Sequence, residues 1–261
     1  MIIVADNLRI TGKSIAAAVD AADPFPVEDM VKRCLHAGAH AIDINSGPLS
    51  RNPEKMTFLV RCVRNLTDFP LFIDTANPRA MAFGIDAAGK NGIINGVSLK
   101  PERLQAILPL AAESGADVVG YLLKEDGQVP ESGEERMRVA VDLVQACRDF
   151  GIEAERLIID PIIAPLSWSN GHIQNRETLE VIRRLPELIG IPVRSIAGLS
   201  NLTTGLSDPQ QKQKWEAAYL PMLAAAGLDI VLMDVLREGL VTIAKTSAVM
   251  LDDGIFSWEM A

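Results

Sequence analysis

Basic charge, cysteine, histidine, aromatic side chains and long apolar runs are all scarce in this 261-residue chain. Lys and Arg number 25 against 34 Asp and Glu, giving a net charge of −9. Nucleic acid and anionic membranes call for a basic face, and this composition does not supply one. The three cysteines, Cys34, Cys62 and Cys147, fall in helix-like segments with no metal-ligand spacing. They read as reduced thiols of a cytoplasmic protein, not as a disulfide framework or a zinc site. The histidines, His36, His40 and His172, form no cluster with cysteines or carboxylates. Apolar runs are short and punctuated, which excludes a transmembrane helix. The start, Met1 to Asp6, has no basic region and reads as a first strand, not as a signal peptide.

What is present is a 48% apolar chain of a size common for one (β/α)8 barrel. A helix, a glycine and a short apolar strand recur in that order. Examples run through Gly38 to Asp43-Ile44-Asn45, through Gly115 to Val118-Val119, and through Gly227 to Leu232-Met233-Asp234. Glycine closes a helix in a left-handed conformation, and a β-rich run follows, as in a parallel α/β fold. Eight strands are expected, at Ile2–Val4, Ala41–Asn45, Leu71–Ile73, Ile93–Asn95, Val118–Leu122, Leu157–Ile159, Arg194–Ala197 and Ile230–Met233. Helical stretches separate all of them, so the expected fold is a single-domain TIM (β/α)8 barrel over residues 1–261. The helix around Glu134–Asp149 is expected to bury Met137, Val141 and Val144. Trp168, Trp215 and Trp258 are expected in buried packing.

Two connections are long, Pro161 to Asn175 and Asn201 to Pro209, and both follow strand C-termini, where barrel sites form. The strand ends carry Asp6-Asn7, Asp43 and Asn45, Asp74, Asn95, Asp160, Ser200-Asn201 and Asp234. This set contains no His, Cys or Lys, which argues against covalent catalysis and phosphoryl transfer. Gly12-Lys13-Ser14 looks like the end of a P-loop, but Asn7 stands where its first glycine belongs. Read singly, Asp74 and Asp160 are also candidates for helix N-caps, and magnesium ligation is open to such carboxylates. Read together, carboxylates and carboxamides suit a heterocycle with several N–H donors and a carbonyl, such as a 2-amino-4-oxo pterin.

Five stretches then show a family resemblance. Ala41-Ile42-Asp43-Ile44-Asn45-Ser46-Gly47-Pro48, Phe72-Ile73-Asp74-Thr75-Ala76-Asn77, Ile93-Ile94-Asn95-Gly96, Ile158-Ile159-Asp160-Pro161 and Gly198-Leu199-Ser200-Asn201 resemble the pterin-binding family, in that family's order. The Gly-Leu-Ser-Asn motif is similar to the methyltetrahydrofolate:corrinoid methyltransferase branch. The resemblance implies that Asp74, Asn95 and Asp160 hold the pterin and that Asn201, beside Ser200, sits near N5 and supports the reaction. Asp43 and Asn45 would complete the floor, and Asp43 or Asp74 would shape a water network that carries the proton. Tetrahydrofolate or 5-methyltetrahydrofolate would be the substrate, with cobalamin carried by a separate corrinoid protein and no resident metal. A homodimer is also implied. The first loop, Asp6 to Ile10, departs from the branch's Gly-Glu-Arg-Ile-Asn-Gly, and no Arg follows Asn201 within Leu202–Asp208. These departures lean toward a demethylation system, with the methyl running from corrinoid to tetrahydrofolate. The rival readings are a dihydropteroate synthase, whose first-loop and late Lys-x-Ser-Arg motifs are not visible, and a non-catalytic folate-binding module.

Overall fold

A computed structural model describes residues 1–10, 12–47, 53–252 and 254. Pro48 and Trp258 lie outside the described residues. The eight strands are β1 (Ile2–Arg9), β2 (Ala41–Asn45), β3 (Leu71–Asp74), β4 (Gly92–Val97), β5 (Asp117–Tyr121), β6 (Leu157–Asp160), β7 (Arg194–Gly198) and β8 (Ile230–Met233). They close in sequence order into a parallel barrel, with β1 pairing both β2 and β8. The helices are α1 (Lys13–Ala21), α2 (Phe25–Ala37), α3 (Glu54–Arg64), α4 (Pro78–Ala88), α5 (Pro101–Ser114), α6 (Gly133–Asp149), α7 (Gly171–Ile189), α8 (Pro209–Ala225) and α9 (Leu240–Met250). No described helix is long and apolar enough to cross a membrane. Gly38 and Gly115, with φ of 100° and 72°, cap α2 and α5 in the left-handed region, as the repeating unit requires.

Two apolar layers hold the barrel. A large outer cluster packs the helices onto the strands. A smaller cluster fills the barrel itself with one residue from each strand: Val4, Ala41, Phe72, Ile93, Val119, Ile158, Ile196 and Ile230. Successive side chains of a strand point to opposite faces, so the residue two positions later also points inward, one layer nearer the C-terminal end. That next layer is Asp6, Asp43, Asp74, Asn95, Tyr121, Asp160, Gly198 and Leu232. The polar layer is thus built directly on an apolar plug.

Several expectations change. β1 continues through Arg9, where a loop was expected from Asp6; its pairing with β2 shifts between Ala5 and Leu8 and resumes at Leu8 and Arg9. Asp6 breaks the apolar run in sequence, yet it faces inward in the folded strand. Asn77, not Asp74, caps α4 by accepting from the Arg79 and Ala80 N–H groups. Asp160 caps no helix, since α7 begins only at Gly171. On α6, Met137 and Val144 are buried, but Val141 is 46% exposed and Val139 takes the inward position. Trp168 and Trp215 are exposed, not buried, at the surface near α7 and α8. Cys34, Cys62 and Cys147 are free and buried.

Candidate active site

A cavity of about 330 Å3 opens at the C-terminal end of the barrel, above the apolar plug. It is lined by Asp43, Asn45, Asp74, Asn95, Asp160, Ser200 and Asn201, so the seven residues that the family resemblance assigned to the site come together, while Asn7 and Asp234 line an adjoining cavity. Asp6, Arg9, Tyr121 and Ile162 complete much of the wall.

On the β2–β6 side, hydrogen bonds fix the polar groups. The Asn95 carboxamide donates to Asp43 Oδ1 (2.9 Å) and accepts from the Tyr121 hydroxyl (2.9 Å). Both ends of Asn95 are thereby used, which sets its orientation. Asn45 donates to Asp74 Oδ2 and accepts from the Gly47 N–H. Asp160 Oδ1 accepts from the Ile162 N–H (2.8 Å), leaving Oδ2 without a partner among the described residues. Gly96 permits the close pairing of β4 and β5, because a Cβ there would meet the Val119 carbonyl oxygen at 2.5 Å. Arg103 donates to the Gly96 carbonyl (2.7 Å) from outside the barrel.

Burial dominates the electrostatics of these acids. Asp160 is pushed up to about 7 by burial, against the pull of the Ile162 N–H and the Arg136 charge. Burial likewise raises Asp74 to about 6, opposed by Arg103 and Arg9. Asp43 is raised well above the carboxylate range by burial and then by the neighbouring Asp74 charge. Tyr121, also raised by burial, stays a neutral phenol that donates.

Arg136 supports this side from beneath the loop after β6. It is fully buried on α6 and forms no ion pair with a carboxylate among the described residues. Instead its guanidinium donates to the Pro130, Pro161 and Ile162 carbonyls, Thr178 Oγ1 and Gln174 Oε1. These bonds hold the turn at Ile162, which sits in the left-handed region at φ 63°, a strained place for a β-branched residue.

On the β7–β8–β1 side, Asp6 Oδ2 accepts from the Ser200 hydroxyl (3.0 Å) and from Arg9. Arg9 also donates to Ser200 Oγ (3.2 Å). Asn7 bridges to the segment after β8 by donating to Asp234 and accepting from the Val235 N–H. Buried Glu216 on α8 accepts from Thr203 Oγ1 (2.6 Å) and from Arg237, tying the turn that carries Ser200 and Asn201 to the loop after β8. Within that turn the Asn201 carboxamide faces the cavity and makes no hydrogen bond among the described residues. A second, polar cavity of about 470 Å3 adjoins the first, sharing Asp6, Arg9, Ser200 and Asn201 and adding Lys212 and Arg237.

Sequence reasoning missed Tyr121, Arg9 and Arg136. Tyr121 carried a signal, since it stands two residues after Val119 in an expected strand. Arg136 lies four residues before buried Ala140, on the helix's inward stripe, where a charge looks out of place. Arg9 lay in the stretch read as a loop.

The pterin binding enzyme family model matches residues 8–234. A methylcorrinoid:tetrahydrofolate methyltransferase from Eubacterium limosum is 25% identical over 97% of this chain and 92% of its own. Methionine synthase from Mycobacterium tuberculosis is 25% identical over 88% of this chain, which spans 20% of that longer protein. Among solved structures, 7,8-dihydropteroate synthase from Vibrio fischeri superposes with a TM-score of 0.71 at 20% identity, over 98% of this chain and 95% of that one. A Xanthomonas albilineans dihydropteroate synthase complex gives 0.69 at 22% identity, over 96% and 94%. The likeness to these structures is one of fold.

Proposed function

The chain belongs to the pterin binding enzyme family, and from that membership we propose that it transfers a methyl group between a corrinoid protein and N5 of tetrahydrofolate. The direction is from methylcorrinoid to tetrahydrofolate, as in a demethylation pathway. The observation that carries this reading is the cavity wall itself. Acceptors with an open position, at Asp160 and Asp74, stand beside a carboxamide at Asn201 that makes no hydrogen bond among the described residues. The similarity to the Eubacterium limosum methyltransferase over nearly the full chain supports the methyltransferase branch.

In this reading Asp160 accepts the pterin 2-amino and N3 hydrogens as a bidentate carboxylate. Asp74, steadied by Asn45, and Asn95, steadied by Asp43 and Tyr121, meet the remaining ring atoms. Asn201 stands over N5. Its carbonyl oxygen accepts from N5–H and aims the nitrogen lone pair out of the barrel mouth, toward the incoming methyl. Positive charge develops on N5 as the bond forms, so this hydrogen bond strengthens in the transition state, which is differential binding. A corrinoid held by a separate protein supplies the methyl group, and no residue of this chain is assigned to hold it. The plug beneath the ring excludes water from below. The same reading implies a cytoplasmic homodimer.

Calorimetry with tetrahydrofolate, 5-methyltetrahydrofolate and p-aminobenzoate tests the proposal. Micromolar binding of both folates, weakened in Asp160→Ala, is expected. Binding of p-aminobenzoate with incorporation into a pteroate product would replace this reading by dihydropteroate synthesis. Folate binding without transfer to or from any cobalamin would leave a binding module.

A further inference from the structure

The geometry points to Asp6, acting through Ser200, as the group that takes the N5 proton and passes it to the adjoining polar cavity. This rests on the methyltransferase reading above. As the N5–CH3 bond forms and the Co–C bond breaks with its electron pair left on cobalt, N5 carries both a methyl and a proton. That proton has to leave. A docked corrinoid protein covers the barrel mouth, and the apolar plug closes the bottom. A lateral path is what remains.

Asp6 is placed for that path. It is 5% exposed, yet it lines both the reaction cavity and the neighbouring cavity of about 470 Å3. Its Oδ2 accepts from the Ser200 hydroxyl at 3.0 Å. Ser200 precedes Asn201, the residue set over N5, and its oxygen has a lone pair beyond the one engaged by Arg9 at 3.2 Å. Ser200 Oγ therefore shares the N5–H with Asn201 Oδ1 and accepts its proton once the N5–CH3 bond has formed, while its own hydrogen moves to Asp6 Oδ2. The carboxylate becomes a neutral acid, and Lys212 and Arg237 line the outer cavity through which the proton reaches solvent.

The charges facing Asp6 come from every neighbouring element. Arg9 on its own strand favours the carboxylate; Asp234 after β8 opposes it, and Asp43 on β2 and Glu216 on α8 are each coupled to it through space. Burial is the largest influence and raises Asp6 above the ordinary carboxylate value.

The test is the pH dependence of methyl exchange in both directions, using free methylcobalamin with tetrahydrofolate and cob(I)alamin with 5-methyltetrahydrofolate. In the first direction ionised Asp6 is the active form, so the wild-type rate falls as pH drops through its pKa. In the second the neutral acid is active, and the rate falls as pH rises. At saturating folate, where the pH dependence of binding at Asp160 drops out, Asp6→Asn and Ser200→Ala are expected to remove both limbs and to lower the best rates by about 10²-fold. A second readout uses no corrinoid. Binding of 5-methyltetrahydrofolate, measured in two buffers of different ionisation heat, is expected to take up protons in the wild type that Asp6→Asn does not take up. Equal proton counts, with rates lowered by one factor at every pH, would overturn the relay and leave the methyltransferase reading standing. Wild-type protein that binds folate but exchanges no methyl would overturn the function, and the relay with it.

Discussion

Two layers of the barrel interior lie two residues apart on the same strands and behave in opposite ways. The lower layer, Val4, Ala41, Phe72, Ile93, Val119, Ile158, Ile196 and Ile230, is apolar and closed to water. The upper layer holds Asp6, Asp43, Asp74, Asn95, Tyr121 and Asp160. Strand periodicity alone sets which residues face inward; the chemistry of each layer comes from the residue type at that step. The lower layer stabilises the fold by removing apolar surface from water. The upper layer works against it, because burial raises the pKa of its acids and so disfavours their charged form. Stability and function are stacked in separate storeys of one sheet.

The comparison breaks most visibly in the lower storey. Phe72 is 1% exposed and is the largest side chain of the plug. Phe72→Ala is expected to cost about 3–5 kcal/mol of stability by leaving a cavity, read as a shift of the urea midpoint. Its effect on folate affinity in the protein that remains folded is expected to be small, because Phe72 carries no polar group to the ligand. A large loss of affinity with little loss of stability would show that the storeys are not separable.

Asp160→Asn reverses the pattern. The folded carboxyl titrates at about 7 against an ordinary 3.8, so the native state holds its proton more tightly than the unfolded chain. That contribution is fully present below about pH 4 and is lost as pH rises through 7. A neutral Asn escapes the loss. The variant is expected to melt higher than the wild type at pH 8, with the difference vanishing near pH 4. Its folate affinity should drop by about 10²-fold, roughly 3 kcal/mol, since an amide cannot accept two hydrogens where the carboxylate does. Wild-type affinity should itself weaken as pH falls through 7, and calorimetry across pH 5–8 reads this directly. A variant less stable at pH 8 would show that the upper storey also holds the fold.

How far these storeys were legible in the sequence follows from what each one depends on. The strands could be read because β8 is an uninterrupted apolar run and β2 an apolar run broken only by Asp43 before Asn45, each following a helix that ends at a glycine, and their limits came out as expected. Asp43, Asp74, Asn95 and Asp160 could be read because each sits next to such a run. Beyond that, local pattern gives way to contacts between distant segments. Asp6 ended an apolar run and looked like the start of a loop, yet pairing of Leu8 with Ile44 extends the strand past it. On α6, Met137 and Val144 pack inward as expected, but Val139 takes the place expected of Val141, beside Arg136, whose acceptors include groups of the β6–α7 loop and α7 itself. No spacing rule on one helix announces a partner 42 residues away. Trp168 and Trp215 were expected inside because indoles bury large areas, but both are exposed near α7 and α8.

Beside the upper storey, Asn201 differs from the ring acids in that its side chain makes no hydrogen bond among the described residues. Asn201→Ala is therefore expected to leave the melting temperature nearly unchanged while lowering the rate of methyl transfer. A hydrogen bond to a developing charge accounts for about 2 kcal/mol, roughly 30-fold. Stopped-flow kinetics with free methylcobalamin checks the rate, and calorimetry separates it from a smaller loss in binding. A rate near that of the wild type would remove Asn201 from the reaction.

The smallest expected effect sharpens the boundary between the storeys. Tyr121→Phe deletes the hydroxyl that donates to Asn95 Oδ1 at 2.9 Å and leaves the ring on the plug beneath. One neutral hydrogen bond contributes about 1 kcal/mol. Asn95 still donates to Asp43, so the fold holds, but its carbonyl end is no longer pinned and its orientation loosens. The variant is expected to lose about 1 kcal/mol of stability and about fivefold in folate affinity, read by thermal melting and calorimetry on the same samples. A double variant with Asp43→Asn should show less than the sum of the two single effects in affinity, since Asp43, Asn95 and Tyr121 act as one chain of hydrogen bonds. Additive losses would instead mean that Asn95 is oriented by the strand alone and that the chain of side chains contributes nothing to holding the ring.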